Sequence, residues 1–191
     1  MNIFVLDESP VVSAEMMCDK HVVKMPVETA QMLSTVHRFL DGKQTFFKSK
    51  NGRNLKTWTH LTDSVEYYPN GPVLYRSTMI NHPCTVWARE TMGNYDWLVR
   101  HGLALCTEYT RRYDKIHGSQ KVIEWCRDNM PKKISPSIFL TEFAQAMPEQ
   151  YRVKYDAVSA YRSYYLGEKK KFATWTNREI PEWWSSGVVL V

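Results

Sequence analysis

Apolar residues recur at three- and four-residue spacing along most of this chain. From about Ser13 to Leu40 they fall at Cys18, Val22, Met25, Met32, Leu33, Val36 and Leu40, which is the period of an amphipathic helix. Pro26 lies inside that run. It lacks an N–H and its ring crowds the carbonyl of Val22, so the helix is expected to kink or break there. A second long helix is expected from about Asn94 to Tyr113, with Trp97, Leu98, Leu103, Leu105, Cys106 and Tyr109 on its apolar side. Arg111 and Arg112 fall in its last turn, where cations suit the helix dipole. Pro83 fits the first position of a short helix through Glu90, with Asn81 or His82 near its cap. Further helices fit 119 to 130, 136 to 146 and 149 to 170, the first two separated by Pro131.

The remaining segments lack that period. MNIFVL is a short apolar run closed by Asp7, Ser9 and Pro10, either one strand or an extended arm packed on the core. Residues 41 to 80 hold DGK, NGR and YYPNGP and read as a long loop-rich excursion exposing Lys43, Lys48, Lys50, Arg53 and Lys56. After the last helix, FATWTNREIPEWW reads as an aromatic tail that folds back, since several tryptophans rarely stay in water. Trp87, Trp97, Tyr161, Tyr164 and Tyr165 are expected in the core, and Trp183 and Trp184 nearer the surface. The fold class is therefore mainly α: a single compact helical domain over residues 1–191, with a short extended N-terminal arm and a long loop-rich insertion.

Composition narrows the partners. A chain of 191 residues with 43% hydrophobic content can fill one core. Its net charge of +5, pI near 9.0 and 13% aromatic content suit a protein that meets phosphates and stacks on bases. Cys18, Cys84, Cys106 and Cys126 form no CxxC pair, so they are expected to be reduced and packed. No segment reads as a signal peptide or approaches a membrane span, which leads to the expectation of a cytoplasmic protein without a membrane partner. No GxGxxG, Walker loop, HExxH or Ser–His–Asp order occurs, so dinucleotide, P-loop and hydrolase readings have no motif behind them.

The first long helix carries the candidate chemistry. Projected at about 100° per residue, Lys20, His21, Lys24, Glu28, Gln31, Thr35 and Arg38 share one sector. A charged helix face is ordinary, and Lys24 with Glu28 alone makes an i,i+4 pair worth a few tenths of a kcal/mol. His21 and Glu28, however, lie two turns apart beside Met25 and Met32, at the edge of the core, where a carboxylate is placed for acid/base or electrostatic work. As metal ligands they lack a close third partner, and the neighbouring lysines repel a cation; neither a metal nor a cofactor is expected.

These residues resemble the pyrimidine-dimer DNA glycosylase/AP lyases of the endonuclease V type carried by phages. That family opens with an extended arm and then a helix bearing a histidine and, seven residues on, a glutamate; His21 and Glu28 have that spacing, and ETAQML resembles the continuation. NHPCTVWARE, NYDWL and EYTRRY follow in the family's order, and KKKFATWTNREIPEWW resembles its aromatic, basic tail. The resemblance covers about two-thirds of the chain as order and spacing, with little identity.

The resemblance implies a helical domain that grips duplex DNA, kinks it and extrudes a pyrimidine nucleotide. The chemistry it implies is attack of a neutral amine on the sugar C1′, then strand cleavage. An α-amino group, ordinarily at roughly 7.7–8.0, is neutral more readily than a lysine at about 10.4. By carry-over, Glu28 stabilises the opening sugar and His21 positions the DNA or the carboxylate. Asn2 is larger than the small second residue of the best-known members, so the amine falls to Met1 or, in its place, Lys20 or Lys24. Candidate DNA contacts are Arg38, Asn81, His82, Arg89, Arg111, Arg112, Arg162, Lys169, Lys170 and Lys171. Two other readings fit the residues: a transferase that modifies a pyrimidine in the same pocket, and a non-catalytic nucleic-acid-binding protein whose stripe is a docking face.

Overall fold

The computed structural model describes residues 1–187. After an extended arm the chain forms α1 (Pro10–Glu15), α2 (Asp19–Asp41), β1 (Lys43–Lys48), β2 (Asn54–Thr59), α3 (Pro83–Ala88), α4 (Met92–Tyr113), α5 (Gln120–Asp128), α6 (Ala157–Glu168) and α7 (Glu182–Ser186). The fold is mainly helical, and among the described residues no helix is long and apolar enough to cross a membrane.

MNIFVL is the arm and not a strand, with Ile3, Val5 and Leu6 buried in the core. It is held by side chains from far along the chain. Asn2 Nδ2 donates to the Ala146 carbonyl (2.8 Å), Tyr161 donates to Asn2 Oδ1 (2.7 Å), and Arg162 Nε donates to the Leu6 carbonyl (2.9 Å).

The helix expected to start near Ser13 is two helices. Ser9 and Pro10 start α1, and the chain breaks between Glu15 and Asp19. The carbonyls freed at this joint find donors elsewhere: Arg112 takes those of Glu15 (3.1 Å) and Met17 (2.9 Å), and Trp175 Nε1 takes that of Met16 (2.9 Å). Pro26 does not end α2, which runs through it. Near the gap it leaves in the backbone ladder, His117 Nε2 donates to the Val23 carbonyl (3.1 Å). α2 and α4 approach at Gly102, where a Cβ would lie 2.6 Å from Thr29 Cγ2 and 3.1 Å from Ile123 Cδ1. The four cysteines are free and buried.

Three expected segments differ in the structure. Residues 41 to 80 are not all loop, because β1 and β2 form an antiparallel hairpin in register from Lys43 opposite Thr59 to Lys48 opposite Asn54. Its turn uses Gly52 at φ +74°, and Gly42 lets α2 meet β2 at a distance no Cβ would allow. Residues 136 to 146 are extended and not helical. Their carbonyls serve the start of α4: Ser135 and Ser137 accept from the amides of Met92 (2.9 Å) and Gly93 (3.0 Å), and Phe139 accepts from Thr91 Oγ1 (3.0 Å). The last long helix spans only Ala157–Glu168, capped by Asp156, with a 3₁₀ turn at Glu149–Tyr151 ahead of it.

The tail folds back onto the N-terminus of α2. Asp19 accepts from Thr174 Oγ1 (2.9 Å), Thr176 Oγ1 (2.9 Å) and the Thr176 amide (3.0 Å), and pairs with Arg112 (3.0 Å). These hydrogen bonds outweigh burial and hold its carboxyl below the usual range. Trp183 is buried in the core, against the expectation that it lies near the surface, and Trp184 is half-buried against Trp175.

Candidate active site

The first three turns of α2, the arm and the end of α6 enclose a cleft of about 340 Å³. It is lined by Met1, Asn2, Phe4, Lys20, His21, Lys24, Glu28, Tyr164, Lys169 and Phe172. At its floor is Glu28, whose carboxylate is nearly buried. Its Oε2 accepts the Asn2 amide at 2.8 Å and lies 3.7 Å from the Met1 α-amino group; its Oε1 lies 3.0 Å from Lys24 Nζ. Lys24 is mostly exposed, so this pair contributes only a few tenths of a kcal/mol to stability, and its interest is chemical.

Phe4 turns the arm so that residue 1 meets Glu28. It adopts φ +55°, a left-handed conformation that costs a non-glycine residue about 1–3 kcal/mol. The ring compensates by stacking on His21 (centroids 4.3 Å apart) and lying parallel to Tyr164 (6.1 Å). Lys169 sits over Tyr164 at 4.3 Å, and Lys20 over Phe172 at 4.6 Å, so two cations are held at the rim by aromatic faces.

His21 is hydrogen-bonded through Nδ1 to the buried hydroxyl of Tyr165. Burial, helped by Lys169 and Lys24, pushes its pKa down to about 3, so the ring is neutral at physiological pH. His82 also feels the site: burial first, then the Met1 amine, lower its pKa, while Glu28 acts in the opposite sense. It caps α3 by accepting the Cys84 amide on Nδ1 (3.2 Å).

The structure thus brings together Met1, Lys20, His21, Lys24, Glu28 and Lys169, with His82 within electrostatic reach. Asn81, Arg111, Lys170 and Lys171 are exposed outside the cleft. Two of the expected DNA contacts are corrected by burial. Arg38 is enclosed and spends its guanidinium on a bidentate pair with Asp63 (2.6 Å each) and on the carbonyls of Trp58, Leu74 and Tyr75. Arg112 is fully buried between Glu108, Asp19 and the α1–α2 joint. Neither can reach a phosphate. Arg89 bonds the Ile80 carbonyl (2.6 Å) over the Phe39 ring, and Arg162 faces Asp7 (3.6 Å) and the Trp183 ring.

Sequence reasoning missed Asn2, Phe4, Tyr164 and Phe172 as site residues. Only a fold could reveal them, because three distant segments supply the walls.

This is the geometry of a small helical domain whose basic, aromatic-rimmed cleft closes on one carboxylate beside a terminal amine. A family model, pyrimidine dimer DNA glycosylase, matches residues 1–120, and the chain belongs to that family. Its members are DNA glycosylases, an enzyme class that acts on DNA. No curated protein and no solved structure gives a significant match.

Proposed function

We propose that the chain is a DNA glycosylase with AP lyase activity, acting on a damaged or modified pyrimidine in duplex DNA. The observation that carries this reading is the Met1 α-amino group 3.7 Å from Glu28 at the floor of a basic cleft. The amine nitrogen attacks C1′ as the glycosidic bond to the base breaks, and the base departs with the bonding electrons and takes a proton. The sugar ring opens to an imine on the enzyme as O4′ takes a proton; a C2′ proton is then lost to a base and the 3′ phosphate leaves with the C3′–O electrons, which cuts the strand. Glu28 receives the proton the amine must shed and stabilises positive charge at the opening sugar. Its hydrogen bond from Asn2 and its ion pair with Lys24 hold the carboxylate aimed at that point. Lys20, Lys24 and Lys169 meet phosphates at the rim, and neutral His21 holds Phe4 in place beneath the extruded nucleotide. Asn81, Arg111, Lys170 and Lys171 extend the contact along the duplex.

Borohydride trapping on DNA containing an abasic site or a thymine dimer tests the proposal. The expected result is a covalent adduct that peptide mapping places on Met1 and that Glu28→Gln abolishes. An adduct on Lys20 or Lys24 would move the nucleophile. Salt-sensitive binding with no adduct would overturn the lyase reading in favour of base modification or binding alone.

A further inference from the structure

At the foot of the hairpin, away from the cleft, is a second polar cluster. His37 and Asp41 stand one turn apart on α2, and His60 follows β2 as the cap of a 3₁₀ turn, Leu61–Asp63. One potential ligand atom from each lies within 4.8 Å of the other two. Among the described residues no hydrogen bond joins these three side chains to one another.

Their surroundings fix what each can offer. Tyr95 donates its hydroxyl proton to the Cys126 carbonyl (3.1 Å), so at 2.6 Å from His37 Nε2 it accepts, and His37 keeps its lone pair on Nδ1. His60 uses Nδ1 for the amide (3.3 Å) and hydroxyl (3.1 Å) of Thr62, and its Nε2 has no hydrogen-bond partner among the described residues. The two Asp41 oxygens accept the amides of Lys132 (2.7 Å) and Lys133 (3.1 Å), which orients the carboxylate and leaves each oxygen a second lone pair. Trp125 packs against both imidazoles, with centroids 5.1 Å and 6.3 Å away. Arg38 also faces His60, but its charge is offset by its bidentate pair with Asp63.

Two imidazoles and one carboxylate, two of them spaced i,i+4 on a helix and the third brought in from a distant turn, form a borderline-soft donor set. His37 and Asp41 already have the outer hydrogen-bond partners that metal ligands need for orientation, and His60 gains one by moving its ring proton from Nε2 to Nδ1. We propose that His37 Nδ1, Asp41 and His60 Nε2 bind a divalent transition-metal ion, zinc above all, which ties the foot of the hairpin to α2. Zinc bonds of about 2.0–2.2 Å in tetrahedral array place ligand atoms roughly 3.3 Å apart, so the ligand atoms, now within 4.8 Å of one another, close in by up to about 1.5 Å on binding. On His60 the ring proton resides on Nδ1 once Nε2 is ligated, and Thr62 Oγ1 accepts it. The proposal is independent of the glycosylase reading.

Titration of the chelator-treated full chain with ZnCl₂ by calorimetry tests it, with Co²⁺ visible absorption as a second readout. The expected result is one saturable site per chain, cobalt bands of a four- or five-coordinate centre, and a rise in thermal midpoint with Zn²⁺ but not Mg²⁺. His60→Ala and Asp41→Asn should each weaken binding at least about tenfold. Two variants are needed because His60 also caps a turn; circular dichroism confirms that each is folded. Non-stoichiometric uptake, six-coordinate cobalt spectra, or unchanged affinity in both folded variants would overturn the proposal.

Discussion

His101 is a buried imidazole on α4 whose two ring nitrogens have no hydrogen-bond partner among the described residues. Its contact is a stack on Trp97 with centroids 4.9 Å apart. Burial lowers its pKa to about 3, against an ordinary 6.5. Between those values the unfolded chain binds a proton that the folded chain refuses, so stability falls as pH drops below about 6.5. His101→Leu, close to it in volume, removes both penalties. Near pH 7.5 the relieved polar group is worth about 1–3 kcal/mol, less about 0.5–1.5 kcal/mol for the lost stack. Near pH 5 the variant gains about 2 kcal/mol more, because the unfolded wild-type ring is then protonated. At about 2–4 °C per kcal/mol, its advantage in thermal midpoint should be roughly 4–8 °C wider at the lower pH. Differential scanning calorimetry at both pH values measures this. An equal advantage at both would show that the ring titrates normally and would refute the reasoning. His21 and His37, also held near 3, act in the same direction. The three together remove about 6 kcal/mol by about pH 5, a large part of the roughly 5–15 kcal/mol of an ordinary domain.

Other changes separate chemistry from scaffold. Glu28→Gln should lower single-turnover cleavage of abasic DNA by about 10²–10⁴-fold while leaving the thermal midpoint nearly unchanged. Lys169→Ala should reduce the slope of log affinity against log salt by about one, seen by fluorescence anisotropy on labelled duplex. Arg38→Ala should cost about 3–5 kcal/mol in urea denaturation, since it strands Asp63 and three carbonyls, without altering that salt slope. Gly93→Ala should cost about 1–3 kcal/mol, because its Cβ would lie 2.3 Å from the Ile138 carbonyl oxygen.

The long helices were legible because their apolar periods survive in the fold: α4 begins two residues before its expected start, and α2 ends one residue past its expected end. The hairpin was not, because KQTFFK and NLKTWT expose both faces and so lack the alternation of a half-buried strand. The segment 136 to 146 misled in the opposite way. A helix was expected there, yet Ile138, Phe139 and Leu140 are exposed and the backbone is drawn out to serve α4. On α2, the polar stripe identified Lys20, His21, Lys24 and Glu28 together. At Thr35 and Arg38 the same stripe passes under residues 58 to 78, a second layer invisible from the helix alone. The cluster of His37, Asp41 and His60 was missed for the same reason, since its third member arrives on a hairpin that periodicity did not reveal.

The knot at Asp19 fastens the segment beyond the family match to the stretch within it. Glu28, His21 and the arm lie within residues 1–120, the stretch the family model matches, whereas Tyr164, Lys169 and Phe172, which complete the cleft, lie beyond it. The threonines that clasp Asp19 hold that later segment against the earlier one. The cleft is therefore complete only when the segment beyond residue 120 is seated on the earlier one, through this carboxylate and through the contacts of Asn2 with Ala146 and Tyr161.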